Sequence, residues 1–204
     1  MIDEPVHGGH QETSQLADDH LFTRFNYVRK AHTLLTQPQE FADKVSKIVG
    51  AKGPDQVCIL VENLESGMDY WAPIFGVTGW NIYNYSPDEF ETASYRGEPI
   101  ELSMRIALAG QNPQIELIEP GSSPSIYWEW VEQHGYNLHH LGFVVPSLQQ
   151  ALEYLDDADI EIVQTAQGHG LDGDGGFAYF EAGGVFLEVL ELPKRRRPED
   201  ARQA

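Results

Sequence analysis

Cysteine occurs only once in the 204 residues, and Lys and Arg together number 13 against 32 Asp and Glu. A single thiol excludes an internal disulfide framework. Cys58 lies within the apolar run 57–61, where a buried thiol in a reducing cytoplasm is expected. The shortage of basic residues leaves a net charge of −19, a field that repels phosphate backbones and anionic membrane surfaces and so excludes both as partners. Long hydrophobic runs are also missing. Each apolar stretch meets a charge, Gly or Pro well before the ~18 residues that a bilayer span requires. With no basic-then-apolar leader after Met1, the expectation is a soluble, unprocessed, cytoplasmic protein.

Hydrophobic residues make up 41% and aromatic residues 11% of the chain, enough for a buried core. Residues 1–19 are polar and aperiodic, with His7 and His10 around a Gly-Gly as solvated side chains. From 21 to 35, Leu21, Phe22, Phe25, Val28, Ala31 and Leu35 recur at helical steps. A second helix is expected from Pro38 to Val49, with Phe41, Ala42, Val45, Ile48 and Val49 on one face and Gly50 as its stop. Gly53-Pro54 ends this N-terminal arm, residues 1–54.

The rest of the chain repeats itself. Asp55-Gln56-Val57-Cys58-Ile59-Leu60-Val61 reads as a strand that leaves through a polar turn into a helix carrying Met68, Tyr70 and Trp71. Shifted by 84 positions, from 56 to 140, His139-His140-Leu141-Gly142-Phe143-Val144-Val145 does the same before Ala151, Leu152, Tyr154 and Leu155. Closing strands match at a shift of 72 positions, from Glu116 in Ile115-Glu116-Leu117-Ile118-Glu119 to Glu188 in Leu187-Glu188-Val189-Leu190-Glu191. The smaller shift means a shorter second half. Two further strands are expected in each half, around 80–85 and 101–109, then 160–165 and 176–180. The fold class is therefore α+β: two βαβββ modules, 55–120 and 121–193, forming an open cup-shaped mixed sheet. A helical arm precedes them and a disordered basic tail, 194–204, follows.

Four polar residues interrupt strands that should present an apolar face: Gln56, Glu116, His140 and Glu188. Buried carboxylates brought together across a pseudo-twofold repel one another, so a positive group should lie between them, and a divalent metal is the simplest. Imidazole, carboxylate and amide oxygen suit Zn, Ni, Co, Mn or Fe(II). His139, next to the candidate ligand, is expected by strand alternation to face the opposite side as a structural or surface histidine. His169 stands in a glycine-rich stretch, 168–176, as a mobile rim over substrate or a flexible connector. That stretch has neither GxGxxG spacing nor a lysine, which excludes a phosphate cradle. Tyr127, Trp128 and Trp130 are expected as packing residues on a helix after Pro124, and Lys194-Arg195-Arg196-Arg197 as a solvated tail.

With these residues in place, the sequence from 55 to 192 resembles the vicinal oxygen chelate superfamily, the glyoxalase, bleomycin resistance and dioxygenase proteins. The stretches 123–127, 133–143 and 176–180 with Leu187-Glu188 are similar to methylmalonyl-CoA epimerases. The resemblance implies one metal ligand from each of four strands, here Gln56, Glu116, His140 and Glu188. Gln56 departs from the histidine usual in epimerases, although some glyoxalase I enzymes use glutamine there. The implied activity is a metal-dependent epimerase, isomerase or glyoxalase-type lyase that moves a proton next to the carbonyl of a small carbonyl or acyl substrate, through a metal-bound enediolate. Glu188 is the first choice of base and Glu116 the second. A metal-free sequestering or resistance-type binder on the same fold is the alternative. An extradiol-type dioxygenase fits less well, because it needs two strand histidines and one carboxylate. A homodimer is expected, the apolar face of the arm helix needing a cover.

Overall fold

In a computed structural model of the chain, residues 38–196 and 202–203 are described. The chain divides into two compact units, 1–39 and 40–204, and the description is of the second. The tail of residues 1–19 and the helix expected over 21–35 lie outside the described residues.

The fold is α+β, as the repeat implies. Helix α1 is Pro38–Val49, and Gly50, at φ 78°, ends it in the left-handed region that glycine adopts without strain. The first half runs β1 (Gln56–Leu60), α2 (Leu64–Phe75), β2 (Asn81–Tyr85), β3 (Thr92–Tyr95), β4 (Glu98–Pro99), β5 (Met104–Ala109) and β6 (Gln114–Pro120). Helix α3 (Ile126–His134) leads to the second half: β7 (Leu138–Val144), α4 (Leu148–Asp157), β8 (Ile162–His169), β9 (Gly175–Ala182) and β10 (Val185–Glu191). A short β11 (Arg202–Gln203) follows. Every described strand joins one sheet, in the order β11-β2-β5-β6-β1-β7-β10-β9-β8-β3-β4.

The two halves meet at the antiparallel pair β1–β7, where Gln56 lies opposite Gly142 and Cys58 opposite His140. A shift of 84 carries Gln56 onto His140 and Cys58 onto Gly142, so this pairing maps onto itself under the repeat. In each half the opening strand runs parallel to the closing one, β1 with β6 and β7 with β10. The four strands bearing the candidate site are thereby the four at the centre of the sheet.

The repeat extends to the helix caps. Asn63 accepts from the Ser66 N–H at the start of α2, and Ser147 from the Gln150 N–H at the start of α4. In addition, Glu119 Oε2 accepts from the Leu64 N–H at 2.7 Å and Glu191 Oε2 from the Leu148 N–H at 2.8 Å. Each closing strand thus carries two glutamates three residues apart, which alternation sends to opposite faces. One, Glu119 or Glu191, serves a helix N-terminus outside the cup, where a negative charge is favoured. The other, Glu116 or Glu188, points inward.

Outside the cup, α2 covers the first half through Leu64 and Met68 against Ile59, Trp80 and Leu117. The second half is covered by α4 and α1, with Ile48 and Val49 buried beside Leu148, Leu155 and Val189. Inside the cup a third cluster joins Leu60, Ile106 and Ile118 to Tyr179 and Phe186, closed by Ile126 and Tyr127 of α3. Tyr127 is fully buried, whereas Trp128 and Trp130 are half-buried.

The hairpin β3–β4 has no counterpart in the second half. It occupies the extra length between β2 and β5 and pairs with β8 of the other half, Ala93 opposite Ala166. Its small and polar residues lack the alternation that reveals a half-buried strand. Among the described residues, no helix is long and apolar enough to cross a membrane.

Candidate metal centre

The sheet brings Gln56, Glu116, His140 and Glu188 together on the cup face, all buried. His140 Nε2 lies 3.2 Å from Glu116 Oε2 and 3.3 Å from Glu188 Oε2, neither contact having hydrogen-bond geometry. These three atoms all fall within 4.8 Å of one another. Gln56 Oε1 is also buried without a partner. A Cβ on Gly142 would come to 3.0 Å from Gln56 Oε1 and 3.1 Å from Glu188 Oε2. Gly142 therefore leaves the space in which these two oxygens approach.

Two of the ligand candidates, Gln56 and His140, are each oriented by a neighbour. Gln56 Nε2 donates to Gln114 Oε1 at 2.7 Å, which fixes the amide with its oxygen free. His140 Nδ1 lies 2.9 Å from His139 Nδ1, so one ring donates and the other accepts. His139 is held neutral, its pKa driven well below the ordinary value by burial and then by the neighbouring His140. A neutral His139 accepting at Nδ1 makes His140 the donor, and leaves His140 Nε2 facing the two carboxylates.

That arrangement requires positive charge at Nε2, supplied by a proton or by an ion. Without an ion the proton is the answer. Burial opposes the imidazolium, but the surrounding acidic groups outweigh it and raise the His140 pKa well above the ordinary value. Glu116 is raised by burial, with the Glu188 charge adding to the rise. A divalent ion fits the same space. Ligand bonds of about 2.0–2.2 Å place adjacent donor atoms about 3.0–3.5 Å apart, and the separations of 3.2 and 3.3 Å lie in that range. The donor set is one imidazole, two carboxylates and one amide oxygen, a mixed N/O site.

A second group, Cys58, His139 and His140, is also close enough to share an ion. It suits one less well, because the two Nδ1 atoms already bond each other and burial raises the Cys58 pKa far above physiological pH.

The structure differs from the sequence reading at His139. Cys58 pairs with His140 and Ile59 with Leu138, so His139 is the extra residue of a β-bulge. The bulge breaks the alternation that would have sent its ring outward. The ring is instead buried in the cup between Tyr127, Trp130 and Phe186.

His169 lines the same cavity from the end of β8, buried beside Tyr85, Phe90 and Phe177. Burial, with a contribution from the Arg196 charge, lowers its pKa to about 4, so it is neutral at physiological pH. It belongs to the wall of the cup, not to a connector. The first residues of the expected tail are held as well. Arg195 pairs with Asp172, its carbonyl accepts from the Leu171 N–H at 2.9 Å, and Arg196 lines the cavity. Gln114 and Arg196 were not apparent as site residues in the sequence. Gln114 carries the faint signal of sitting two residues before Glu116 on the same strand face, whereas Arg196 lies beyond the repeat and carries none.

The chain belongs to the glyoxalase/bleomycin resistance protein/dioxygenase superfamily, which matches residues 55–180. Among solved structures it is similar to a hypothetical protein of Bacillus halodurans C-125, with 17% identity, a TM-score of 0.52, and coverage of 71% of this chain and 96% of that one. Similarity extends to methylmalonyl-CoA epimerase of Mycobacterium tuberculosis (20% identity, TM-score 0.49, coverage 72% and 89%). It extends also to that of Streptomyces coelicolor (14%, 0.48, 72% and 99%). No curated protein matches.

Proposed function

We propose that the protein is a metal-dependent epimerase, isomerase or glyoxalase-type lyase that moves a proton on the carbon beside a substrate carbonyl. One observation carries the reading: four buried, unpartnered donor atoms, Gln56 Oε1, Glu116 Oε2, His140 Nε2 and Glu188 Oε2, on the four central strands. An apolar core does not keep four such atoms without a partner. Gln56, Glu116, His140 and Glu188 would hold the ion, two from each of the modules 55–120 and 121–193. Bound there, a divalent cation supplies a Lewis acid that draws electron density from a carbonyl and acidifies the adjacent C–H.

The chain's own groups do the rest. In this reading Glu188 takes the proton, and Glu116, from the other half of the sheet, returns one or takes one from the other side. The apolar walls of Ile106, Ile118 and Leu190 exclude water from these carboxylates. We also infer a homodimer acting on a small carbonyl or acyl compound in a reducing cytoplasm, consistent with the free, buried Cys58. Sedimentation at micromolar concentration tests the dimer.

The test of the reaction is elemental analysis of protein purified without chelator, followed by incubation in heavy water with 2-methyl-branched acyl thioesters, hemithioacetals and hydroxy-ketones. About one divalent ion per chain and deuterium at the carbon beside the carbonyl are expected. Tight binding of such a compound by ion-free protein, without exchange, overturns the reading in favour of a sequestering protein.

A further inference from the structure

Helices α2 and α4 follow the two opening strands and are related by the shift of 84, yet they are covered unequally. α1 packs beside α4, burying Ile48 and Val49 with Leu155 and placing Lys44 Nζ 3.5 Å from the Ala158 carbonyl oxygen. The cluster under α2 contains no residue of another described helix.

Matched positions show the difference. Ala158 is half-buried, whereas its counterpart on α2, Ile74, is 56% exposed. Leu155 is fully buried and its counterpart Trp71 only half-buried. Phe75, 39% exposed, occupies the position where the second half has the acid Asp159. Tyr70 carries no such contrast, because its counterpart Tyr154 is exposed to a similar degree. The place on the first half that corresponds to α1 on the second is therefore an apolar surface without a helix on it.

That surface is continuous. Trp71 stacks on Phe75 at 5.4 Å between ring centroids and meets Tyr70 edge-on at 5.1 Å, and Ile74 is one turn on from Tyr70. Its charge is negative. Asp69 is exposed beside Tyr70, and the last turn of α2 has no basic residue to balance the negative end of the helix dipole. An occupant should then be a helix with an apolar stripe and basic edges.

One stretch of the sequence has that character. From 20 to 37 there are three basic residues, Arg24, Arg29 and Lys30, and no Asp or Glu, in a chain of net charge −19. The helix predicted over 21–35 carries Leu21, Phe22, Phe25, Val28 and Leu35 on one stripe. At about 100° per residue, Arg24 and Arg29 fall at its two edges. Its length of about 22 Å is sufficient to lie along the ~18 Å of α2. Two acidic bodies repel one another, so their association calls for a basic element placed between them.

We infer that the apolar face of α2 is the docking site for the helix predicted over 21–35 of a second copy, lying there as α1 lies on α4. Each copy gives one arm and receives one, which closes the assembly at two. The inference rests on the homodimer of the proposed function and is independent of its reaction.

Sedimentation equilibrium of the full-length protein and disulfide trapping test it. Ile74→Lys sets a basic group where a basic helix must dock, on an exposed position that favours a cation, and Phe25→Asp breaks the stripe of the arm. Each should weaken dimerisation tenfold or more with far-UV melting close to wild type, whereas Tyr154→Lys should leave the dimer unchanged. In trapping, Ile74→Cys and Phe25→Cys chains are mixed, allowed to exchange subunits and oxidised. A linked pair of twice the chain mass is expected from the mixture and not from either variant alone, with the buried Cys58 taking no part. A dimer that neither Ile74→Lys nor Phe25→Asp weakens overturns the inference and leaves the homodimer standing. A monomeric wild type removes both and leaves the reaction untouched. Linked pairs from Ile74→Cys alone overturn it in favour of direct contact between two α2 faces. A double variant that links only within its own chain overturns the assignment to a second copy.

Discussion

The two halves of the sheet share one frame but orient their inward-facing donors by different means. In the first half, Gln56 is aimed by the hydrogen bond that its amide donates to Gln114 on the adjacent parallel strand. In the second, a shift of 72 from Gln114 arrives at Phe186, which has nothing to donate or accept. There His140 is aimed by its own neighbour, His139, which the bulge turns inward and Phe186 packs against. An amide that must offer only its oxygen can be fixed by one acceptor. An imidazole must also have its proton on the right nitrogen, which His139, buried and neutral, provides for when its Nδ1 accepts from the His140 Nδ1–H.

The largest expected effect is the loss of His140, the ring on which the second half depends. In His140→Ala, metal content by elemental analysis should fall from about one per chain to essentially none, an affinity loss of more than ~100-fold. Full occupancy would dissolve the ligand assignment. Glu188→Gln separates holding from reacting. Its amide still offers an oxygen, so the ion should stay within about tenfold of wild-type affinity, while solvent exchange slows by about 10²–10⁴-fold. Exchange at the wild-type rate would move the base elsewhere.

The comparison between halves is addressed directly by His139→Phe and Gln114→Leu. Each should weaken metal binding by about 10–100-fold, with His139→Phe the worse, because it frees the ring to carry its proton on either nitrogen. Equal losses on metal titration would mean that tautomer selection contributes nothing. Gly142→Ala is milder. Its methyl meets the Gln56 and Glu188 oxygens at 3.0 and 3.1 Å, and a loss of roughly 1–3 kcal/mol in stability is expected by denaturant titration.

The most gradual effect is in the pH dependence. His169, with its pKa near 4 in the fold and about 6.5 when unfolded, binds more protons unfolded between those values. Its contribution to stability is complete above pH ~6.5 and declines as pH falls toward ~4, by on the order of 3 kcal/mol. His169→Gln should flatten that acid limb relative to wild type. An unchanged slope would mean that the imidazole titrates normally.

The repeat made the cup and its four inward-facing residues legible, because polar residues at matching positions of four apolar strands stand out against alternation. Gln56, Glu116, His140 and Glu188 are brought together as that pattern implies. The inward turn of His139 is not legible in the sequence, because a bulge depends on how two strands pair, which a single strand's sequence does not state. In the sequence Arg196 reads as part of a solvated tail because a basic run after the last strand has no local periodicity, and its place over Tyr83 depends on a contact more than a hundred positions away. The hairpin β3–β4 escaped for a related reason. Its partner is β8, in the other half.

That hairpin has a consequence for how the protein is made. Tyr95 pairs with Gln164, so about 70 residues must leave the ribosome after β3 before its partner exists. At about 5–20 residues per second this is a wait of roughly 4–14 seconds. The first half emerges with a strand it cannot use, and the second is born next to a strand already waiting for it. Until then the nascent chain carries unpaired edge groups that could recruit another chain. The scarcity of basic residues, with the mutual repulsion it gives every copy, is the chain's protection during that interval.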